Sequence, residues 1–235
     1  MSEPRQRWRL VFARDEEARY LSHLDAVHLW ERAFRRGSIP IAVTEGFTPR
    51  SRLIFAAPLP LGMLAEHELA DLFLAEKLTL PDLRGRLATG MPGGYRAVDL
   101  RDEWLGAPAL ATQMVAADYR MDLLGVGPGD LAAACRRLLE ADSLPRVRRR
   151  ETRATPYDLR PLLLDLKAGP PRAVADSAAP AANLWLRLRH TQDQGSGRPE
   201  EVVAALGECL GASEEALEMV APVRERIWLA GELGS

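Results

Sequence analysis

Residues 21–62 read LSHLDAVHLWERAFRRGSIPIAVTEGFTPRSRLIFAAPLPLG, and this stretch decides how the chain folds. Ser22 precedes Asp25 by three positions, a variant of the capping box that opens a helix. Val27, Trp30, Ala33 and Phe34 recur at helical spacing, and Gly37 closes the run. Residues 40–44 and 52–57 then read as two strands, joined across Gly46, Phe47, Thr48 and Pro49. The Pro-Leu-Pro-Leu-Gly run at 58–62 reads as a rigid turn. A capped helix followed by paired strands is the centre of a β-α-β-β-α-β unit.

Outward from this centre, residues 7–15 alternate. Trp8, Leu10 and Phe12 share one face and Arg7, Arg9 and Val11 the other, which predicts a half-buried strand. Residues 67–74 alternate as well. Residues 81–88 are helical, opened near Thr79 and closed at Gly90, and a turn follows at 91–94. The second half repeats the order. It holds a strand at 114–124, a helix at 129–141, extended segments at 146–153 and 157–166, and a Pro/Ala-rich loop at 167–182. A strand at 183–189, a helix at 199–210 with Pro199 in its first turn, and a strand at 223–229 complete it. The expected class is α+β, with two tandem ferredoxin-like units of antiparallel sheet. The expected units are residues 1–108 and 109–235, split near 106–111. The first has one strand more than the pattern allows.

The chain has 235 residues, 47% hydrophobic and 27% charged, as in a soluble globular protein. Its apolar runs fall short of the roughly 20 residues a membrane span needs. Residues 1–20 are charged and lack a signal-peptide core, so a cytoplasmic protein without membrane contact is expected. The net charge of −2 provides no global attraction to nucleic acid. Lys77 and Lys167 are the only lysines, and every other basic side chain is arginine. A high-GC genome produces that bias, so local clustering rather than the count bears on function. Cys135 and Cys209 lie far apart inside helical patterns and read as buried thiols. The sequence has no P-loop, dinucleotide-binding glycine fingerprint or zinc spacing. No metal site is expected.

On the first helix, Asp25, His28, Arg32 and Arg36 fall in one polar sector, and Glu31 is spaced to pair with Arg35. His23, at the first helical position, points toward the apolar side. It reads either as a packed histidine or as a general acid–base group oriented by Asp25, itself a candidate catalytic residue. The turn with Gly46, Phe47 and Pro49 is the strongest binding candidate. Phe47 fits a pocket floor or a core plug, and the plug is preferred. Arg50 and Arg52 alternate beyond it and suit a phosphate or carboxylate. In the second half Arg146, Arg148, Arg149, Arg150 and Arg153 put five arginines in eight residues. Trp185, Arg187 and Arg189 share a strand face, as do Arg224, Arg226 and Trp228. If those faces coincide they form an arginine and aromatic platform of the kind that grips single-stranded RNA. A charged sheet edge that resists aggregation is the plainer reading.

Ser22-His23-Leu24-Asp25, the helix end from Arg32 to Arg36, Gly46-Phe47-Thr48-Pro49 and the turn at 58–62 together closely resemble the opening motif of DUF2344, a radical-SAM-associated bacterial family. The resemblance continues more weakly over 148–166 and 197–199. Members often carry His where Arg50 stands, so the resemblance favours anion binding over proton transfer there. It implies a radical SAM protein as partner. Such enzymes hold their cluster with a close-set cysteine trio. None exists here, so no cofactor is expected in this chain. The leading expectation is an accessory substrate- or RNA-recognition protein acting on tRNA or rRNA awaiting modification. Arg32, Arg36, Arg50 and Arg52 would form one anion site and Arg146, Arg148, Arg149 and Arg150 another. The alternatives are an RNA-processing or RNA-modifying enzyme using His23 and Asp25, and a protein-interaction scaffold docking through Trp185 and Trp228.

Overall fold

The computed structural model describes residues 3–45, 47, 49–150, 153–172, 181–191, 195–211 and 217–233, with the side chains of Arg149, Arg150, Arg153 and Arg172 outside that description. The chain divides into two compact units, Met1–Met114 and Val115–Ser235. The class is α+β, with mostly antiparallel strands.

The first unit runs β1 (Gln6–Arg14), α1 (His23–Arg36), β2 (Leu53–Phe55), β3 (Leu64–Leu74), α2 (Leu80–Gly90), β4 (Tyr95–Glu103) and a short α3 (Leu110–Gln113). Its strands lie in the order β4-β1-β3-β2, each pair antiparallel. Trp8, Leu10 and Phe12 of β1 meet Trp30 and Phe34 of α1 and Leu83 and Leu87 of α2 in one core. Trp30 stands edge-on to Phe12 at 5.4 Å and to Tyr95 at 5.3 Å, a favourable aromatic geometry. The two helices approach closely where they end. A Cβ on Gly37 would lie 2.4 Å from the Arg86 carbonyl oxygen, and one on Gly90 2.4 Å from that of Ala33. Gly37 therefore does more than stop α1.

Three expectations need correction here. The strand at 7–15 is not half-buried, because Arg7 through Arg14 are all buried. The arginine face is closed by an ion network. Arg7 and Arg9 both bond Asp71, at 2.5 Å and 3.0 Å, and Asp71 is fully buried. Arg9 also meets Glu103 at 3.3 Å, and Arg7 donates to the carbonyls of Ala107 (2.7 Å) and Pro108 (2.9 Å). Those carbonyls, with the fully buried Leu110, hold residues 104–114 to the first unit and carry its end past the expected 108. Next, residues 40–44 form no strand. They make only isolated bridges, Ile41 with Leu74 and Val43 with Ser51, and this removes the surplus strand. Finally, β4 was not anticipated. Phe12 pairs with Ala97 and Val11 with Asp99, so Val98 is a bulge. Tyr95 faces the core before it and Leu100 after it, five positions apart, which erases a period of two.

The second unit runs β5 (Met114–Leu124), α4 (Pro128–Glu140), β6 (Pro145–Arg150), β7 (Arg153–Asp158), β8 (Leu163–Arg172), β9 (Ala181–Thr191), β10 (Gly195–Ser196), α5 (Pro199–Cys209) and β11 (Glu218–Leu229). Its sheet is ordered β11-β5-β9, with β8 and β10 both on the far edge of β9. β6 and β7 form a separate two-stranded ribbon. Leu184, Leu186 and Leu188 are buried, as are Leu131, Cys135 and Leu138 of α4 and Val202 and Leu206 of α5. The loop expected at 167–182 is overturned in part. Residues 167–172 continue β8, pairing Lys167 with Trp185 and Gly169 with Asn183. Pro170 and Pro171 fall where the register shifts, on an edge strand that tolerates missing N–H donors. Residues 173–180 lie outside the described residues.

Replacing Asp71 with Asn leaves the buried Arg7 without a counter-charge and Arg9 with Glu103 alone. The expected loss is about 3–5 kcal/mol of stability, read by urea unfolding. A loss within 1 kcal/mol would show that the network does not support the sheet.

Candidate functional site

The motif at 21–62 builds two distinct places in the first unit. At the first, Ser22 caps α1, its Oγ accepting from the Asp25 N–H at 3.2 Å and donating to Asp25 Oδ2 at 2.6 Å. Asp25 is thus engaged by its own cap rather than by His23. His23 is exposed, with its ring edge-on to Phe55 at 5.6 Å. It lines a cavity of about 20 Å³ with Arg14, Glu68, Tyr95, Phe12 and Leu59, space for one water or one small substituent. Arg14 and Glu68 are buried charges that the sequence reading missed. Their signal was positional: Arg14 shares parity with Trp8, Leu10 and Phe12, and Glu68 with Ala70 and Leu72. Burial pushes the Tyr95 phenol up, opposed by the Arg14 guanidinium bonded to it and reinforced by Glu68.

Arg14 also explains the turn at 58–62. It donates to the carbonyls of Met63 at 3.0 Å and Pro60 at 2.6 Å. Arg19 Nε reaches the Gly62 carbonyl at 2.8 Å, and the Gly62 N–H returns a bond to the Arg19 carbonyl at 3.0 Å. Gly62 has φ of +76°, which a side chain would strain. Tyr20, Leu24 and Leu61 are exposed on these same two segments, at 73%, 62% and 65%.

The second place lies beyond the turn. Arg52 stacks over Phe73 at 4.9 Å and makes no hydrogen bond or ion pair through its side chain among the described residues. It lines an open cavity of about 810 Å³ with Glu3, Pro4, Val43, Thr44, Glu45 and Leu105. Arg50 and Pro49 are exposed. The backbone of Arg50 is fixed, its N–H donating to Thr44 Oγ1 at 3.0 Å and its carbonyl accepting from Thr44 N at 2.8 Å. Phe47 is fully exposed, so it is not a core plug. Gly46 and Thr48 lie outside the described residues. Trp104, next to Leu105, is 76% exposed.

The remaining candidates separate. Arg36 donates to the carbonyls of Gly90 and Met91 at 2.9 and 2.8 Å, closing the end of α2. Arg32 is exposed and has no partner among the described residues. Glu31 accepts from the Ser51 N–H at 3.4 Å instead of pairing with Arg35.

In the second unit, Arg146 meets Glu208 at 3.0 Å, and Arg148 donates to the Ser196 carbonyl at 2.9 Å while lying over Tyr157. The side chains of Arg149 and Arg150 lie outside the described residues. Arg160, in the weaker part of the family pattern, bonds the carbonyls of Leu163 and Leu139 at 2.9 and 2.7 Å. The anticipated arginine and aromatic platform is present in part. Arg187 lies 4.4 Å from the Trp228 ring and 5.5 Å from Trp185, and Arg226 lies 3.8 Å from Trp228. Acids accompany these cations. Asp118 binds Arg187 at 2.6 Å, and Glu225 binds Arg120 at 2.6 Å and the Trp185 N–H at 3.0 Å. Arg224 is buried rather than displayed, and Trp185 and Trp228 are half-buried, which does not suit docking residues. Cys135 and Cys209 are free thiols, and burial pushes Cys135 up to about 11, so it stays protonated. Among the described residues, no group of three His, Cys, Asp or Glu side chains is placed to hold a metal, and no helix is long and apolar enough to cross a membrane.

Two small antiparallel α+β units, with a strongly built turn motif in the first, define the class. The chain belongs to the DUF2344 family, described as an uncharacterized protein conserved in bacteria, whose model matches residues 7–199. No curated protein matches it. Among solved structures, an unknown protein from Galdieria sulphuraria matches at 14% identity over 91% of this chain and 95% of its own, with a TM-score of 0.26.

Arg14→Lys keeps the charge but loses the planar fork whose Nε and Nη2 meet the Met63 and Pro60 carbonyls. The expected cost is about 2–3 kcal/mol, with new protease cleavage within 58–62. Unchanged stability and cleavage would remove Arg14 as the holder of this turn.

Proposed function

We propose that the protein is an accessory recognition protein of the cytoplasm that works beside a radical SAM enzyme in RNA modification. In this reading it holds an RNA strand at the Arg50 and Arg52 edge of the first unit. The observation that carries the reading is Arg52. Its guanidinium is half-buried against an aromatic ring, has no polar partner among the described residues, and lines about 810 Å³ of open space. A cation so placed favours an incoming anion. Arg50 adds a second positive charge, and the exposed Phe47 and Trp104 offer faces on which bases stack. Glu3 and Glu45 line the same cavity and restrict a polyanion to its arginine side. The radical SAM association rests on the family resemblance, and tRNA or rRNA would be the target.

The strand orders β4-β1-β3-β2 and β11-β5-β9-β8 support reading each unit as ferredoxin-like, the second with β6 and β7 inserted. The enzyme reading has less support, because His23 and Arg52 line different cavities and Asp25 is engaged by Ser22. The scaffold reading keeps one specific observation, the exposed Tyr20, Leu24 and Leu61 on the segments around His23. That surface suits the partner enzyme rather than RNA.

Titration of the purified chain with total small RNA at low and moderate salt tests the reading. The wild type is expected to bind in a salt-sensitive way, and Arg50→Ala/Arg52→Ala to bind about tenfold more weakly. Absence of binding at low salt, or equal binding by the variant, overturns it.

A further inference from the structure

In the first unit a groove of about 570 Å³ runs between α2 and β4, a volume ordinary for a ligand site. Its two walls differ in kind. On one, Arg84, Leu87 and Ala88 stand at i, i+3 and i+4 on α2, with Met91 just past the helix end. The other is the consecutive run of residues 95–100 on β4. Successive side chains point to opposite faces of a strand, so a cavity that touches every residue of a run lies along the strand's edge. That edge is open, because β4 is an end strand and pairs with β1 alone. Leu87, Tyr95 and Leu100 are buried at the floor of the groove, and Ala88, Ala97 and Val98 are exposed along it. Most of its charges are already engaged. Arg96 binds Asp15 at 2.9 Å. Asp99 Oδ2 accepts from Arg101 Nε at 2.9 Å and Oδ1 from the Leu100 N–H at 2.8 Å, and these bonds hold its carboxyl below the usual carboxylate range. Arg84 is exposed and makes no side-chain hydrogen bond or ion pair among the described residues.

We propose that this groove takes an extended acidic peptide segment of a protein partner. The segment adds a strand to the edge of β4, seats an aliphatic side chain against Leu87, Met91 and Leu100, and sets a carboxylate on Arg84. Main-chain bonds to an open edge give such a site its affinity, and the side-chain pocket beside it gives selectivity. The one uncompensated cation, on the helix wall, is complementary to a carboxylate. The run at 95–100 accepts roughly 20 Å of extended chain at about 3.3 Å per residue. The bulge at Val98 and the ion pairs guard the edge against unselective pairing, but that defence requires no apolar groove beside it. The proposal is independent of the RNA reading, whose Arg52 lines a different cavity.

The experiment selects phage-displayed random peptides of roughly seven residues on the immobilised full chain. Selected peptides are then titrated in solution on wild type, Arg84→Glu and Ala88→Arg. Both substituted residues are exposed on α2, and urea unfolding checks that each variant keeps the wild-type midpoint. The selected peptides are expected to carry an aliphatic residue close to Asp or Glu. Arg84→Glu is expected to weaken binding about tenfold, and Ala88→Arg to abolish it by filling the groove. Methylating the peptide's backbone nitrogens at alternate positions is expected to abolish binding, and at the intervening positions to leave it unchanged. Should Ala88→Arg lower the midpoint, Arg84→Glu and the methylation series decide. Equal binding by the folded variants, methylation without that alternation, or no peptide bound below about 1 mM overturns the proposal. Decanoate bound as tightly as the best peptide makes the groove a small-molecule site, and self-association that Ala88→Arg removes makes it an interface between copies. Either result overturns the assignment to a partner peptide.

Discussion

The first unit depends on one buried carboxylate. Asp71 on β3 neutralises Arg7 and Arg9 on β1, on the face of the sheet away from the aromatic core. Without that carboxylate Arg7 would be buried with no counter-charge and Arg9 with Glu103 alone, a cost of several kcal/mol. With Asp71 in place, the rest of each fork reaches outward. Arg9 binds the last residue of β4, and Arg7 gathers the carbonyls that follow it. The pairing of β1 with its neighbours, the closure of the unit and the position of its end thus share one electrostatic centre.

Elsewhere arginine mainly closes backbone. Arg14 and Arg19 hold the turn at 58–62, Arg36 ends α2, Arg86 reaches the Ser38 carbonyl, and Arg160 ties α4 to β8. A planar fork meets two carbonyls from one position, which an ammonium cannot do with the same geometry. Arginine is therefore suited to these structural sites whatever composition pressure supplied it. Among the described residues of the motif, Arg32, Arg35, Arg50 and Arg52 make no side-chain hydrogen bond or ion pair. On the second unit's sheet face, Asp118, Glu225, Asp165 and Glu232 pair with Arg187, Arg120, Lys167 and Arg226. That balance turns an apparent RNA platform into a largely self-satisfied layer.

Much of the fold was legible where the period of the chain is undisturbed. The capped α1, the strand β5, the helices α4 and α5 and the strand β9 all announce themselves through 3.6- or 2-residue repetition and clear stops. The misses have local causes. A bulge at Val98 switches the inward parity of β4, Pro170 and Pro171 disguise the end of an edge strand, and Pro40 begins a segment that only bridges its neighbours. At the candidate site, the motif residues were visible but their roles were not. Asp25 is a cap, Phe47 is exposed, and Arg14, Glu68 and Tyr95 stand beside His23 from strands the motif does not contain.

By itself the sequence determined the helices, the regularly alternating strands such as β5 and β9, the family and the location of the arginine clusters, because those properties are local along the chain. Only the tertiary structure decided which arginines are available. Their partners are carbonyls and carboxylates tens of residues away, such as Asp71 for Arg7, Pro60 for Arg14 and Ser196 for Arg148. A guanidinium's availability is set by what folding places within 3 Å of it, and no spacing in the sequence records that distance.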